Sequence, residues 1–154
     1  METRYYHLQR KTLEQILPQL LQMTLERNWR AVVMVGSPER VEFLNRHLWT
    51  FNDRSFIPHG AAEDGEAELQ PVWLTSEEEN PNNSNVLFLV DGADSADLEQ
   101  YELVCRLFDG NDDLAVADAR KFWKAQKDAG HRLTYWQQTD QGGWTKKAEA
   151  NSPE

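Results

Sequence analysis

Long apolar runs are missing from this chain of 154 residues, and a membrane-spanning reading goes with them, since none approaches the roughly 20 consecutive apolar residues a bilayer crossing needs. The charged, alternating start from Met1 to Lys11 shows no apolar leader region and no small-residue cleavage site, so a cytoplasmic address is expected. Cysteine is nearly absent. The single Cys105 has no partner for an internal disulfide and no Cys or His at metal-ligand spacing, and its apolar neighbours, in what reads as a helical pattern, make it a packed core thiol. Glycine-rich phosphate loops are absent as well. One glycine, Gly36, follows the apolar run ending at Val35, and no lysine follows before an amphipathic helix begins. His7, His47, His59 and His131 are not spaced as paired ligands, and no serine sits in a nucleophile elbow. No catalytic residue, metal or cofactor is expected.

Basic residues are scarce in one place. Between Ser55 and Cys105 there is no Lys or Arg, while Glu63, Asp64, Glu66, Glu68, Glu77, Glu78, Glu79, Asp91, Asp94, Asp97, Glu99 and Glu102 all fall there. The formal charge of −10 argues against a duplex DNA binder that works by bulk electrostatics. Yet Arg120, Lys121, Lys124, Lys127 and Arg132 lie close together with Asp128 as their sole acidic companion. An acidic chain has kept one local basic surface.

What is present reads as alternating strands and helices. Arg4–Leu8 is an opening strand, and Thr12-Leu13-Glu14-Gln15 has the form of a capping box before a helix with Leu13, Ile16, Leu17, Leu20, Leu21 and Leu25 on one stripe. Pro18 inside that stripe predicts a kink or a later start. The continuous runs Ala31–Val35 and Val86–Val90 read as strands covered on both faces. Ser37 and Pro38 open a second helix that runs to about Leu48 or Trp49. Residues 52–70 read as irregular, 71–75 as a short strand and 76–84 as a loop. A helix capped by Ser95 is expected to reach Phe108, another to run from Asp112 or Asp113 to Gly130, and a last strand to cover 132–138. Residues 1–140 form the expected single domain and 141–154 a fraying tail. The fold class is α/β: a mostly parallel sheet with helices on both faces, nucleotide-binding-like but without a phosphate loop.

Two segments carry possible chemistry. In the helix after Asp113, Ala115, Ala119, Phe122, Gln126 and Ala129 gather on one face, with Arg120, Lys124 and Lys127 opposite and Trp123 and Val116 on the flank. A large aromatic beside bases can seat an acidic peptide with an apolar end, or a stacked nucleobase; a merely solvated charged face is the plain alternative. Trp49, with Phe51, Phe56 and Pro58 in the following loop, either pins that loop or forms a docking patch. Val86–Asp91 looks like the Mg²⁺-holding strand end of a helicase-like NTPase, but with no phosphate loop Asp91, Asp94 and Ser95 read as a turn and a cap.

His47-Leu48-Trp49 with Ser55-Phe56-Ile57-Pro58-His59, and Ala119-Arg120-Lys121-Phe122-Trp123-Lys124 with Ala129-Gly130, resemble the chi subunits of bacterial DNA polymerase III, over Tyr5 to about Trp136. The resemblance implies a non-enzymatic replisome adaptor that links the clamp loader to single-stranded DNA-binding protein by capturing its acidic C-terminal tail, which ends in an aromatic residue bearing the terminal carboxylate. Carried over by position, Arg120 pairs the tail's carboxylates, Lys124 adds a second clamp and Trp123 borders the tail. Val116 stands where some relatives have another base, which weakens the electrostatic part or shifts it to Lys127. Trp49, Phe56, Pro58 and His59 match the patch that faces a psi subunit, or another clamp-loader or helicase partner; DNA is met only indirectly and no membrane is involved. The alternatives are a degenerate helicase-like NTPase domain and a direct single-strand binder.

Overall fold

The computed structural model describes residues 1–50 and 57–151. The two continuous apolar runs become central strands because they lie between helices and loops on both sides. β2 (Ala31–Met34) pairs in parallel with β4 (Val72–Thr75) and β5 (Val86–Leu89), and every residue of these three strands is buried. β1 (Glu2–Leu8) pairs in parallel with β6 (Leu103–Asp109) and β7 (Arg132–Gln138), and β3 (Gly60–Ala61) adds to β4. The eight strands form one sheet in the order β3-β4-β2-β5-β6-β1-β7-β8, parallel except for β8 (Trp144–Ala150), which returns antiparallel on β7.

Alternation along the strands splits the core. Tyr6, Leu8, Val33, Phe88, Cys105 and Leu107 point to the face covered by α1 (Leu13–Glu26) and α2 (Pro38–Thr50). Tyr5, Phe108 and Leu133 point to the other face, against α3 (Asp113–Asp128), and Val32, Leu87 and Val104 pack there against Tyr101. Helices therefore cover both faces, as the α/β reading requires. The helix starts match their capping residues. Gln15 Oε1 accepts from the Thr12 N–H at 2.9 Å, Ser37 Oγ from Arg40 N–H at 3.3 Å, and the Asp112 carboxylate from Leu114 and Ala115 N–H at 3.0 and 3.3 Å. Pro18 stays inside α1, and its missing N–H leaves the Glu14 carbonyl for His47 Nε2, which donates to it at 2.6 Å.

Three expectations are corrected. Residues 95–108 are not a helix: Ser95 donates to Glu78, a 3-10 turn covers Leu98–Gln100, and β6 follows. Leu103, Cys105 and Leu107 alternate with Val104, Arg106 and Phe108, so the run is a strand whose one basic residue is buried. Arg106 is 6% exposed because it pairs with Asp94 at 2.9 Å and its guanidinium lies 3.9 Å from the Phe122 ring centre. Cys105 is a core thiol, but of this strand, and burial pushes its pKa up to about 12. Residues 144–150 are no fraying tail but an edge strand. The irregular stretch before Pro71 contains β3 and short 3-10 turns at Ala62–Asp64 and Ala67–Leu69.

Candidate functional site

α3 begins on its Asp112 cap and stops at Gly130, whose φ of +86° suits a residue without Cβ. Its buried side is Ala119 and Gln126, with Ala115 and Phe122 half-buried; Gln126 Nε2 donates to Thr3 Oγ1 at 3.0 Å and its Oε1 accepts from the Tyr5 hydroxyl. Ala129, expected on that side, is exposed because the helix has already ended. Arg120, Lys121, Lys124 and Lys127 are all exposed, and none makes an ion pair with another described residue. Lys127, in the last turn, is favoured there by the helix dipole alone. The other three have no such local reason, and Arg120 and Lys124 stand at i, i+4, where like charges repel.

Trp123 is half-buried. Its indole meets Tyr5 edge-on at 5.3 Å and Tyr135 edge-on at 5.9 Å, so it neither sinks into the core nor stands free. Val116 is half-buried against the same cluster. Two residues join this site that the sequence did not bring forward. Tyr135 of β7 lies next to Phe108 and Trp123, and His7 Nδ1 shares a hydrogen bond of 2.6 Å with its hydroxyl. The charge of Arg120 reaches both: burial raises the Tyr135 pKa while Arg120 opposes, and burial, helped by Arg120 and opposed by Asp109, lowers that of His7. Arg120, Val116, Trp123 and Tyr135 thus form one surface, cationic at one end and aromatic at the other. His7 is covered by Gly110, where an added Cβ would overlap the imidazole and stand 2.7 Å from the Leu8 carbonyl oxygen. Period-two spacing on β1 and β7 could have revealed this, but only once β1 was known to lie beside β7 under α3.

The family model of the DNA polymerase III chi subunit, HolC, matches residues 1–134. The chain belongs to the chi subunit family. A curated protein of Rickettsia prowazekii (strain Madrid E), described as a probable DNA polymerase III subunit chi, is 30% identical over 103 residues, which make up 67% of this chain and span 62% of that relative's length. The chi match takes in α3 whole and stops one residue before Tyr135, leaving β8 outside it.

The second chi-like patch is only partly a surface. Trp49 is 50% exposed at the end of α2, with Phe43, 49% exposed, on the same helix. Pro58 is half-buried, and Phe56 lies outside the described residues. His59 is not on the surface. It is 3% exposed, with Nδ1 2.6 Å from the Ile57 carbonyl oxygen, Nε2 3.0 Å from that of Asn45 and its ring 4.3 Å from Trp49, so it anchors the loop behind the indole. In this chi chain a cleft of about 800 Å³ also opens at the carboxyl ends of β1, β5 and β6, where the connections after β1 and β6 leave for opposite faces. Asp91, on its wall, pairs with Arg40 at 2.8 Å, and Arg40 also holds Glu14 at 2.8 Å. Gly36 is glycine for packing: a Cβ there would collide with the Asp91 carbonyl oxygen. Asp91 and Asp94 are tied to arginines, and Ser95 caps no helix.

Proposed function

We propose that this chain is a non-catalytic, cytoplasmic adaptor of the replisome that holds the acidic C-terminal tail of single-stranded DNA-binding protein beside α3. A second surface around Trp49, Pro58 and the segment containing Phe56 joins it to the clamp loader, through a psi subunit or a helicase-type partner. One observation supports the tail reading most. Arg120, Lys121 and Lys124 stand without ion pairs among the described residues of an acidic chain, and Arg120 flanks the half-exposed rings of Trp123 and Tyr135. Like charges one helical turn apart each cost a few tenths of a kcal/mol, about 0.2–0.5, and an anionic partner relieves that repulsion. Arg120 and Lys124 take the tail's carboxylates, while Trp123, Val116 and Tyr135 supply the apolar wall for its aromatic end. Lys127 extends the positive field. Membership of a DNA polymerase III subunit family agrees with this role.

Fluorescence anisotropy of a labelled peptide, acidic and ending in an aromatic residue with a free carboxylate, tests the reading. Arg120→Ala removes charge-assisted hydrogen bonds of about 1.5–3 kcal/mol, so affinity should fall roughly 10- to 150-fold. Lys124→Ala should weaken binding less, and salt should weaken it for the unaltered chain. Equal affinities for Arg120→Ala and the unaltered protein would remove α3 from the site.

A further inference from the structure

The face of β1, β7 and β8 away from α3 pairs cations with aromatic rings in a way the tail reading does not use. Tyr6, Trp136 and Trp144 point to the α1 side, where both indoles remain half-buried and Tyr6 meets Trp144 edge-on at 5.1 Å. Lys146 stands directly across from Trp136 in the β7–β8 register. Arg4 flanks Tyr6 on β1, and a notch beside them is lined by Leu20, Met23, Arg27 and Trp29, with Met23 59% exposed. The Arg27 guanidinium lies 4.3 Å from the Trp29 ring centre, and Lys11 reaches the β7–β8 turn at Gly142. Three carboxylates share this surface: Glu2, 3.6 Å from Arg4, Glu149, 3.1 Å from Lys146, and Asp140 of the β7–β8 turn, 3.8 Å from Arg10. With Arg10, five cations stand against these three anions, and Lys11 and Arg27 make no ion pair among the described residues, which leaves a positive patch on a chain of formal charge −10.

We infer that this sheet face, which presents the half-buried indoles of Trp136 and Trp144 beside the buried Tyr6, binds single-stranded nucleic acid. The argument is one of repeat and complementarity. A single strand presents a flat ring and a phosphate in each nucleotide, and successive bases stack on aromatic side chains while cations track the backbone. Lys146 across from Trp136 and Arg27 over Trp29 offer that alternation, with Arg4 lining the notch beside Trp29. An acidic peptide would meet the cations but has no run of planar faces for the rings. Duplex DNA keeps its bases stacked inside and cannot offer them to a sheet floor.

Anisotropy of a labelled oligothymidylate with the full chain at low salt tests the inference. Saturable binding that weakens with added salt is expected, together with loss of roughly tenfold in affinity for Lys146→Glu and for Trp144→Ala. Lys146 is surface-exposed, so its variant keeps the test valid if Trp144→Ala fails to fold. Lys124→Glu on α3 should leave oligonucleotide affinity within about twofold, and Lys146→Glu should leave tail-peptide affinity unchanged, which separates this site from the proposed tail site. The inference is overturned if no oligonucleotide binding is seen, if a duplex of equal length binds as tightly, or if Lys124→Glu abolishes binding. It is equally overturned if the acidic peptide is the ligand that Lys146→Glu weakens, or if sedimentation shows a dimer that Lys146→Glu dissolves.

Discussion

At the scale of single residues, His7 and Gly110 show how closely the α3 surface depends on what lies beneath it. A methyl group at position 110 has nowhere to go, because the His7 ring and the Leu8 carbonyl oxygen already occupy the space. Gly110→Ala should therefore destabilise the fold by about 1–3 kcal/mol, read from urea unfolding; an unchanged midpoint would mean that the imidazole moves aside easily. His7 adds a pH dependence. Burial and the Arg120 charge hold its folded pKa below the usual value of about 6.5. On acidification the unfolded chain takes up the proton first, so this contribution is complete above about pH 6.5 and is lost as pH falls through that value towards the folded pKa. His7→Gln should flatten the stability profile across that window, and parallel profiles for the two proteins would contradict it. The cationic half of the candidate surface, Arg120 and Lys124 exposed on α3, was legible from helical spacing alone. The aromatic half was not, since Tyr135 and His7 lie far from α3 in sequence and meet it only through the order of the strands.

At the scale of elements, the parallel core was legible because strands buried on both faces appear as unbroken apolar runs, and α3 because its cap and terminal glycine bracket it. β6 was hidden by one residue. Arg106 interrupts its apolar run, and Leu103, Val104, Leu107 and Phe108 then mimic helical spacing; the ion pair with Asp94 and the Phe122 ring make that charge acceptable inside. β8 was hidden for the opposite reason: Thr145-Lys146-Lys147-Ala148-Glu149 is polar except for Ala148, as an exposed edge strand can be. The end of β7 also sets the start of α1. Gln138 Oε1 accepts from the N–H groups of Gln9, Arg10 and Lys11 at 3.3, 2.8 and 2.8 Å, so one buried side chain satisfies the turn between β1 and the helix. Gln138→Ala leaves those donors unmet and should lower stability by about 1–3 kcal/mol, with faster amide exchange at residues 9–11. Loss of stability without faster exchange there would place the effect elsewhere.

Over the whole molecule, charge is sorted along the sheet. The stretch without Lys or Arg supplies β3, β4 and β5 and their loops, while the bases of β1, α3, β7 and β8 lie towards the other edge. Such a field draws anionic chains to one side and turns phosphates away from the other, so the association rate of an acidic tail should fall steeply with ionic strength while its dissociation rate changes little. Stopped-flow titration at two salt concentrations checks this, and a salt effect confined to dissociation would contradict it. The central proposal is narrower: that α3 holds the end of a chain and that Arg120 recognises its terminal carboxylate. Calorimetric titration with the acidic, aromatic-ended peptide in two forms, free acid and C-terminal amide, tests it most directly. Tenfold or greater weakening of the amide is predicted, about 1.4 kcal/mol or more, and the difference should vanish in Arg120→Ala; equal affinity of the two forms for the unaltered protein would contradict the account.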